Sequence, residues 1–582
     1  MIKIAAAPGK NLTLRRIMGN HNLNIVIGGE AGLGLATIGQ ALSRSLVRCG
    51  FHLHVSQTYE SRIRGGHNTF ALRTGSKPTY APLDSIDLLI ALDRPSIPIH
   101  EKQLLPSACL ISDESLDKFN ERHLRIPTAT LGKKLYVNTI MLGVAGALLN
   151  LEQSVLIDSV TDQLNKLSDE ILQENKIALQ NAYKWLQAQK PSFTALPAPA
   201  FAPLSKIVLN GSQALALGAM SAGLKLCSFY PMSPGTAISL AIADAARELG
   251  IVVEQAEDEI AAINMAIGAS YAGARAMVAT SGGGFSLMCE GVSLAGMIET
   301  PLVIMIAMRP GPATGLPTRT EQADLNLALY AGHGEFPRAI FAPGTLEQSV
   351  TLTQHAFHLT EQCQAPVFVL TDQYLNDSYR DVKPFEFSDI PALADTIKAP
   401  PDGQAYARFA ITENGVSPRA LPGYGKYTVV SDSDEHTPDG HITEDLGLRV
   451  KMQNKRMAKL ALLTRQALAP DFSGDAGTDI LLCCWGNTIG AVLEAADILR
   501  AENKKIGVCH FTQVYPLKTE SLMPQFNAAR RVIMVEGNFK GQLADLIGQL
   551  TGFAVHSRVL RYDGLAITAS YILDNLKQEI SS

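Results

Sequence analysis

The chain has 582 residues, 46% hydrophobic and 18% charged, with Gly 47 and Pro 30, a composition that excludes a disordered or fibrous chain. At roughly 150 residues per domain, the length predicts about four domains rather than one small module. Lys and Arg total 50 against 55 Asp and Glu, so the net charge of −5 leaves no electrostatic footprint for nucleic acid or an anionic membrane.

Residues 1–20 carry basic side chains but no apolar core of signal-peptide length, and read as an N-terminal extension. The longest apolar charge-free run, Leu135–Leu151, falls short of the roughly 20 residues of a membrane span and holds two Asn and two Gly, so no membrane segment is expected. The cysteines, at 49, 109, 227, 289, 363, 483, 484 and 509, show no CxxC spacing. They predict no metal site or cluster held by this chain alone, and the reduced thiols of a cytoplasmic protein.

A first domain is expected at 21–190. Its first strand, NIVIGGEAG, ends in the glycine turn Gly28–Leu35, and a helix follows. Such a turn can seat a phosphate on free backbone N–H groups. The spacing is not GxGxxG, however, so close strand-to-helix packing explains the glycines equally well. Further on, TYESRIRGGHNTF (Thr58–Phe70) sets Arg62, Arg64 and His67 around Gly65-Gly66 on a loop. Either this loop recognises an anion or it is a solvated charged turn. The alternating Pro and Ala of 191–206 predict a semi-rigid linker.

In a middle domain at 207–385, FYPMSPGTAISL (Phe229–Leu240) precedes a helix that Ser233 or Thr236 is placed to cap. The next helix carries Ile260, Ile263, Ile267 and Tyr271 as one stripe, with Glu257, Asp258 and Glu259 near its positive end. A Ser/Gly turn, TSGGGF, follows the next strand, and Arg309 follows the apolar strand Pro301–Met308 directly. An arginine at the carboxyl end of a buried strand suits bidentate capture of a carboxylate, and an ordinary loop arginine is the alternative. A Pro-, Asp- and Gly-rich insertion or connector spans 386–475, with a charged helical patch around Lys451–Arg465. The last domain, 476–582, repeats short apolar strands such as DILLCCWGN, KIGVCHF and RRVIMVEGN. Apolar runs alternating with helices predict α/β domains with mainly parallel sheets, whose functional loops lie at the strands' carboxyl ends.

Taken together, YPMSPGT, then EDEIAAINMAIGASYAGARAMVATSGGG, then RPGPATGLPTRTEQADL resemble the α subunits of the 2-oxoacid:ferredoxin oxidoreductases, which are thiamine-diphosphate enzymes. The first domain, with its glycine turn and RGGHNT loop, is similar to that family's γ module, fused here ahead of α. The middle domain is similar to its pyrimidine-binding thiamine-diphosphate domain. The last, with WGNTIGAVLEAADILR, YPLKTE and EGNFKGQL, is similar to its transketolase-C-like domain.

The resemblance implies roles for matching positions. Glu259 matches the glutamate that hydrogen-bonds N1′ of the cofactor's aminopyrimidine, with Glu257 its rival in the motif. Ser233 matches a substrate-binding threonine and retains the hydroxyl. Arg309 matches the arginine that pairs with the 2-oxoacid carboxylate, and Tyr230 and Pro231 match residues packed on the cofactor. Candidate coenzyme A contacts are Arg64, Gly65, Gly66 and Lys540, chosen as basic or flexible loop positions. The sequence holds no GDG motif, with which thiamine enzymes bind diphosphate and magnesium. The implied β subunit therefore carries the diphosphate and Mg2+ site and a [4Fe-4S] cluster, in an (αβ)2 assembly.

The implied reaction is 2-oxoacid plus coenzyme A plus oxidised ferredoxin giving acyl-CoA, CO2 and reduced ferredoxin. The motif wording most resembles 2-oxoglutarate enzymes, which produce succinyl-CoA. Pyruvate and branched-chain 2-oxoacids are alternative substrates, and a noncatalytic assembly subunit is an alternative of another class. A second substrate carboxylate needs its own cation, for which Arg319, Arg338, His333 and the β subunit are candidates.

Overall fold

The computed structural model describes residues 22–581 except 62–64, 165–166, 194–195, 197, 388–404 and 475–476. The expected extension at 1–20 and the loop residues Arg62 and Arg64 lie outside the described residues.

The first segment contributes β1 (Asn22–Glu30), β2 (His52–Thr58), β3 (His67–Gly75), β4 (Ile86–Ala91), β5 (Leu104–Asp113) and β6 (His123–Ile126). β1 and β4 to β6 run parallel, and the apolar runs of β1 and β4 are buried almost throughout, as strands covered on both faces require. The reading of Thr58–Phe70 as a loop is corrected at its end. His67 opens β3 directly opposite Glu30, and β3 runs antiparallel to β1 and β2. Its polar start, His-Asn-Thr, conceals a strand whose inward positions are Phe70 and Leu72.

The middle segment contributes β7 (Ile207–Asn210), β8 (Leu226–Phe229), β9 (Val252–Gln255), β10 (Ala276–Thr280), β11 (Leu302–Met308), β12 (Ala339–Phe341), β13 (Pro366–Asp372) and β14 (Tyr379–Val382). Two of these leave their own segment: β14 pairs with β2 and carries β7 on its far side, completing an eight-stranded sheet. The edge of β2 is thus covered rather than exposed. The last segment contributes β15 (Asp471–Ser473), β16 (Ile480–Trp485), β17 (Ile506–Phe511), β18 (Gln513–Tyr515), β19 (Arg531–Glu536) and β20 (Ser557–Leu560). β18 crosses to pair with β12, which makes the middle sheet seven-stranded in the order β18-β12-β13-β11-β10-β8-β9. The third sheet runs β15-β17-β16-β19-β20.

Packing follows the shared strands. One hydrophobic core holds Phe285 and Phe368 of the middle segment together with Trp485, Phe511 and Phe526 of the last. Each such buried aromatic contributes about 2–3 kcal/mol of apolar burial. Polar ties complete the joints: Arg73 forks onto Glu494 at 2.7 and 2.8 Å, and His54 meets the Tyr374 hydroxyl at 2.8 Å.

The charged patch expected around Lys451–Arg465 is a longer helix, Leu446–Arg465, capped by Asp445. Its Lys455 and Lys459 are fully buried on Glu299, which neither charge pattern nor periodicity reveals. Burial alone would raise the Glu299 carboxyl, but Lys459, Lys455 and Arg408 outweigh it and hold it at about 2. No helix among the described residues is long and apolar enough to cross a membrane.

Candidate functional site

Three loops converge at the carboxyl ends of β8, β10 and β11. The first, after β8, is the YPMSPGT turn, and Gly235 brings it onto β10: a Cβ there would stand 2.6 Å from the Thr280 carbonyl oxygen. The helix Thr236–Leu249 is capped by neither Ser233 nor Thr236, since Gly235 is its N-cap and no side chain bonds there. Tyr230, Pro231 and Ser233 are instead exposed on the open face of the turn.

The second element is the helix Glu259–Tyr271. Asp258 caps it by accepting from the Ala261 N–H at 2.8 Å, which fixes Glu259 as the first helical residue. Glu259 is 3% exposed whereas Glu257 is exposed to solvent, so burial separates the two rivals. The apolar stripe is corrected at one place: Ile263 and Ile267 are buried, but Ile260 is 52% exposed, because Glu259 occupies the inward position at this end. Glu259 Oε1 is buried and has no hydrogen-bond partner. It lies against the glycine turn after β10, where a Cβ on Gly284 would stand 2.6 Å from that oxygen. A large side chain is excluded from this position, and a buried acceptor oxygen is left without a partner.

Arg309, at the end of β11, is 8% exposed. Its Nη1 donates to the Ser233 carbonyl at 2.7 Å and its Nη2 meets Met232 Sδ at 3.4 Å. A guanidinium has five N–H donors, so others stay available for a carboxylate. Burial lowers its pKa, and Asp324 opposes that shift. Ser233 and Arg309 are thereby joined, although through the serine carbonyl rather than its hydroxyl.

Sequence reading missed the acids of the following loop. Burial pushes Asp324 up to about 6 against the pull of Arg309, and burial followed by Asp324 pushes Glu321 up to about 7. A Cβ on Gly282 would run into the Asp324 carboxylate. The signal was present in TEQAD, where two acids flank a glutamine that reaches the last segment.

Other candidates lie elsewhere. Gly65 and Gly66 take positive φ of 82° and 77° at the start of β3. The adjacent His67 is held by His100, Nε2 to Nε2 at 2.8 Å. Lys540 is exposed in the last segment, and its carbonyl accepts from Arg558. Of the cations considered for a second carboxylate, Arg338 is already committed. Its Nη1 donates to the Ala328 and Ala331 carbonyls at 3.0 and 2.8 Å, and it stacks on Phe336. His333 is exposed, and Arg319 packs beside Gly564.

Residues 217–455 match the family model described as pyruvate flavodoxin/ferredoxin oxidoreductase, thiamine diphosphate-binding, and 24–185 match the pyruvate ferredoxin/flavodoxin oxidoreductase model. A 2-oxoacid:ferredoxin oxidoreductase subunit alpha of Sulfolobus sp is 30% identical, covering 93% of this chain and 94% of that protein. The chain belongs to this family of α subunits. A 2-oxoglutarate synthase subunit KorA of Archaeoglobus fulgidus is likewise 30% identical, over 57% of this chain and 88% of its own length. Among solved structures, the 2-oxoglutarate:ferredoxin oxidoreductase of Magnetococcus marinus, with 2-oxoglutarate, coenzyme A and succinyl-CoA bound, superposes with a TM-score of 0.90. It is 29% identical and covers 97% of this chain and 100% of that one. The family assignment identifies the loops after β8, β10 and β11 as belonging to a thiamine diphosphate-binding domain.

Proposed function

We propose that this chain is the α side of a 2-oxoglutarate:ferredoxin oxidoreductase that makes succinyl-CoA and CO2 reversibly and works only with a β subunit. The observation that carries the reading is the buried, partnerless Glu259 Oε1 beside Gly284. An orphaned carboxylate oxygen fits a ring nitrogen or its proton, so Glu259 suits the aminopyrimidine N1′ of thiamine diphosphate, with Tyr230 and Pro231 on the exposed side. When bound, that cofactor supplies the electron sink for decarboxylation.

The chain's own residues do the rest. Glu259 holds or releases a proton at Oε1 from a water-poor position. Arg309 binds the 2-oxoacid carboxylate with its remaining N–H donors, and its bond to the Ser233 carbonyl fixes their spacing. The exposed Ser233 hydroxyl hydrogen-bonds the substrate. Coenzyme A is assigned to Arg64, Gly65, Gly66 and Lys540. The absence of a GDG motif from the sequence supports a β partner that carries diphosphate, Mg2+ and a [4Fe-4S] cluster, paired as (αβ)2 and delivering electrons to ferredoxin.

The preference for 2-oxoglutarate rests on the relatives from Archaeoglobus fulgidus and Magnetococcus marinus. The test is reconstitution with a cluster-bearing β subunit and assay of viologen reduction with a panel of 2-oxoacids and coenzyme A. Turnover fastest with 2-oxoglutarate, and none by the isolated chain, is expected. A higher kcat/KM for pyruvate overturns the substrate assignment, and activity of the chain alone overturns the two-subunit reading.

A further inference from the structure

A cavity of about 410 Å³ lies where the first segment, the linker and the middle segment meet, walled by the start of β2, the loop after β3, Lys206 and the end of β14. His52 on its wall pairs in register with Gly75, the last residue of β3. β3 runs nine residues from His67, so about 27 Å of strand at 3.4 Å per residue separate this cavity from His67, Gly65 and Gly66. It is a different place from the loops already described.

Arg380 is fixed on β14 between two strands, in register with His54 of β2 on one side and Leu209 of β7 on the other. Its side chain is 13% exposed and lies over the Tyr80 ring, with Cζ 4.8 Å from the centroid. Stacking uses the face of a guanidinium and leaves its in-plane N–H donors unspent. Nε is buried and has no hydrogen-bond partner among the described residues. Glu347 stands 3.9 Å from Nη1, beyond hydrogen-bond length, and its own side chain is half-exposed, so that pair holds little. Thr79 lines the same cavity at 2% exposure, and its Oγ1 is likewise buried without a partner. By contrast, Lys206 and Asp381 on the wall are spent on each other, and His52 Nδ1 meets that carboxylate at 2.9 Å. Two donors in one cavity are thus left unsatisfied, a state that costs free energy until an acceptor arrives. Tyr80, Pro78, Pro384 and the half-buried Phe385 supply apolar wall beside them.

We propose that this cavity binds a small organic oxyanion, a carboxylate or phosphate monoester on an apolar or aromatic body, through the Nε edge of Arg380 and the Thr79 hydroxyl. Its volume falls within the roughly 300–1,000 Å³ of small-molecule sites, which favour joints between domains. The oxyanion accepts from the guanidinium edge in fork geometry and from Thr79 Oγ1, while Glu347 turns out to water. The body of the ligand lies against Tyr80 and Phe385. Because the donors stand on β14 and on the loop after β3, a bound molecule ties the middle segment to the first. No bond forms or breaks, so the site acts by binding alone.

The test is calorimetric titration of the full-length chain at near-physiological salt with benzoate, phenyl phosphate and inorganic phosphate, and with benzyl alcohol as the uncharged control. Benzoate or phenyl phosphate is expected to bind at this site about tenfold or more tighter than the alcohol, and the tighter of the two assigns the oxyanion. The bound ligand should slow hydrogen exchange at 52–55, 79–81 and 379–383 together. Arg380→Lys keeps the charge but loses the fork, and should weaken binding about tenfold. Thr79→Val keeps the shape and removes a hydroxyl that has no partner, so it should weaken binding about threefold to tenfold with the thermal midpoint unchanged or raised. If Arg380→Lys does not fold, Thr79→Val decides. Arg309→Ala should leave this binding intact, which separates the cavity from the carboxylate site proposed for catalysis. Equal affinity for the alcohol, or no binding of any oxyanion, overturns the proposal. So does binding that Thr79→Val leaves unchanged, that Arg309→Ala abolishes, or that slows exchange at none of the three stretches.

Discussion

Replacing Glu299 by Ala removes the carboxylate that, among the described residues, pairs with Lys455 and Lys459 in the interior. Lys455 Nζ lies 2.6 Å from Glu299 Oε1, Lys459 pairs with the other oxygen, and Arg408 donates to the Glu299 carbonyl at 2.7 Å. Breaking a buried pair from one side costs about 3–5 kcal/mol, because a buried charge is left uncompensated. The Glu299 carboxyl is held at about 2 instead of 4.5, so its ionised form contributes stability at neutral pH, while burial draws Lys455 down to about 7. Since the folded value is depressed, this stability is present above pH 4.5 and is lost as pH falls toward 2. Glu299 also holds a left-handed backbone at φ 50°. Urea unfolding followed by circular dichroism should show a midpoint lowered by about 1–2 M for a domain of this size. Hydrogen exchange should show Leu446–Arg465 losing protection first. Because the cluster is buried, 1 M salt should not reproduce the effect in wild type. An unchanged midpoint with unchanged protection of that helix would refute the reasoning.

Gln322→Ala deletes the bonds to Trp485 and Gly537; the Trp485 carbonyl keeps the Thr488 hydroxyl, whereas the Gly537 N–H loses its acceptor, at about 1–3 kcal/mol for that unsatisfied group. Hydrogen exchange should rise together at 320–324 and 536–543, and a rise on one side only would contradict a joint held by this side chain. Gly284→Ala places a methyl against Glu259 Oε1 and Thr280 Oγ1. It is expected to weaken thiamine diphosphate binding to the αβ complex at least tenfold while costing about 1–3 kcal/mol of stability. Unchanged cofactor affinity in a calorimetric titration would show that this space is not used.

Much of the architecture was legible because parallel strands buried on both faces announce themselves as apolar runs: β1, β4, β10, β11, β13, β16, β17 and β19 all fall on such runs. Strands that alternate or start polar were not legible, as β2 and β3 show. Nor was the export of β14 to the first sheet or of β18 to the middle one, because pairing between segments leaves no local signal. In the candidate site, Glu259, Ser233 and Arg309 were picked out as candidates from motifs, and the structure brings Arg309 onto the Ser233 carbonyl. Asp324, Glu321 and Gln322 were not, since their roles depend on burial and on partners more than 160 positions away, such as Trp485. Lys455 and Lys459 misled for the opposite reason: charged residues on a helix ordinarily face water, and only the fold reveals the acid beneath them.

The central claim is that Glu259 works at the heart of the reaction from this chain's side of the site. The direct measurement is viologen-linked oxidation of 2-oxoglutarate by the αβ complex carrying Glu259→Gln, with assembly and thermal midpoint checked in parallel. A general acid–base group contributes about 10²–10⁴-fold, so turnover should fall by at least 100-fold in a complex that assembles and melts like wild type. Wild-type turnover in that complex would contradict the account.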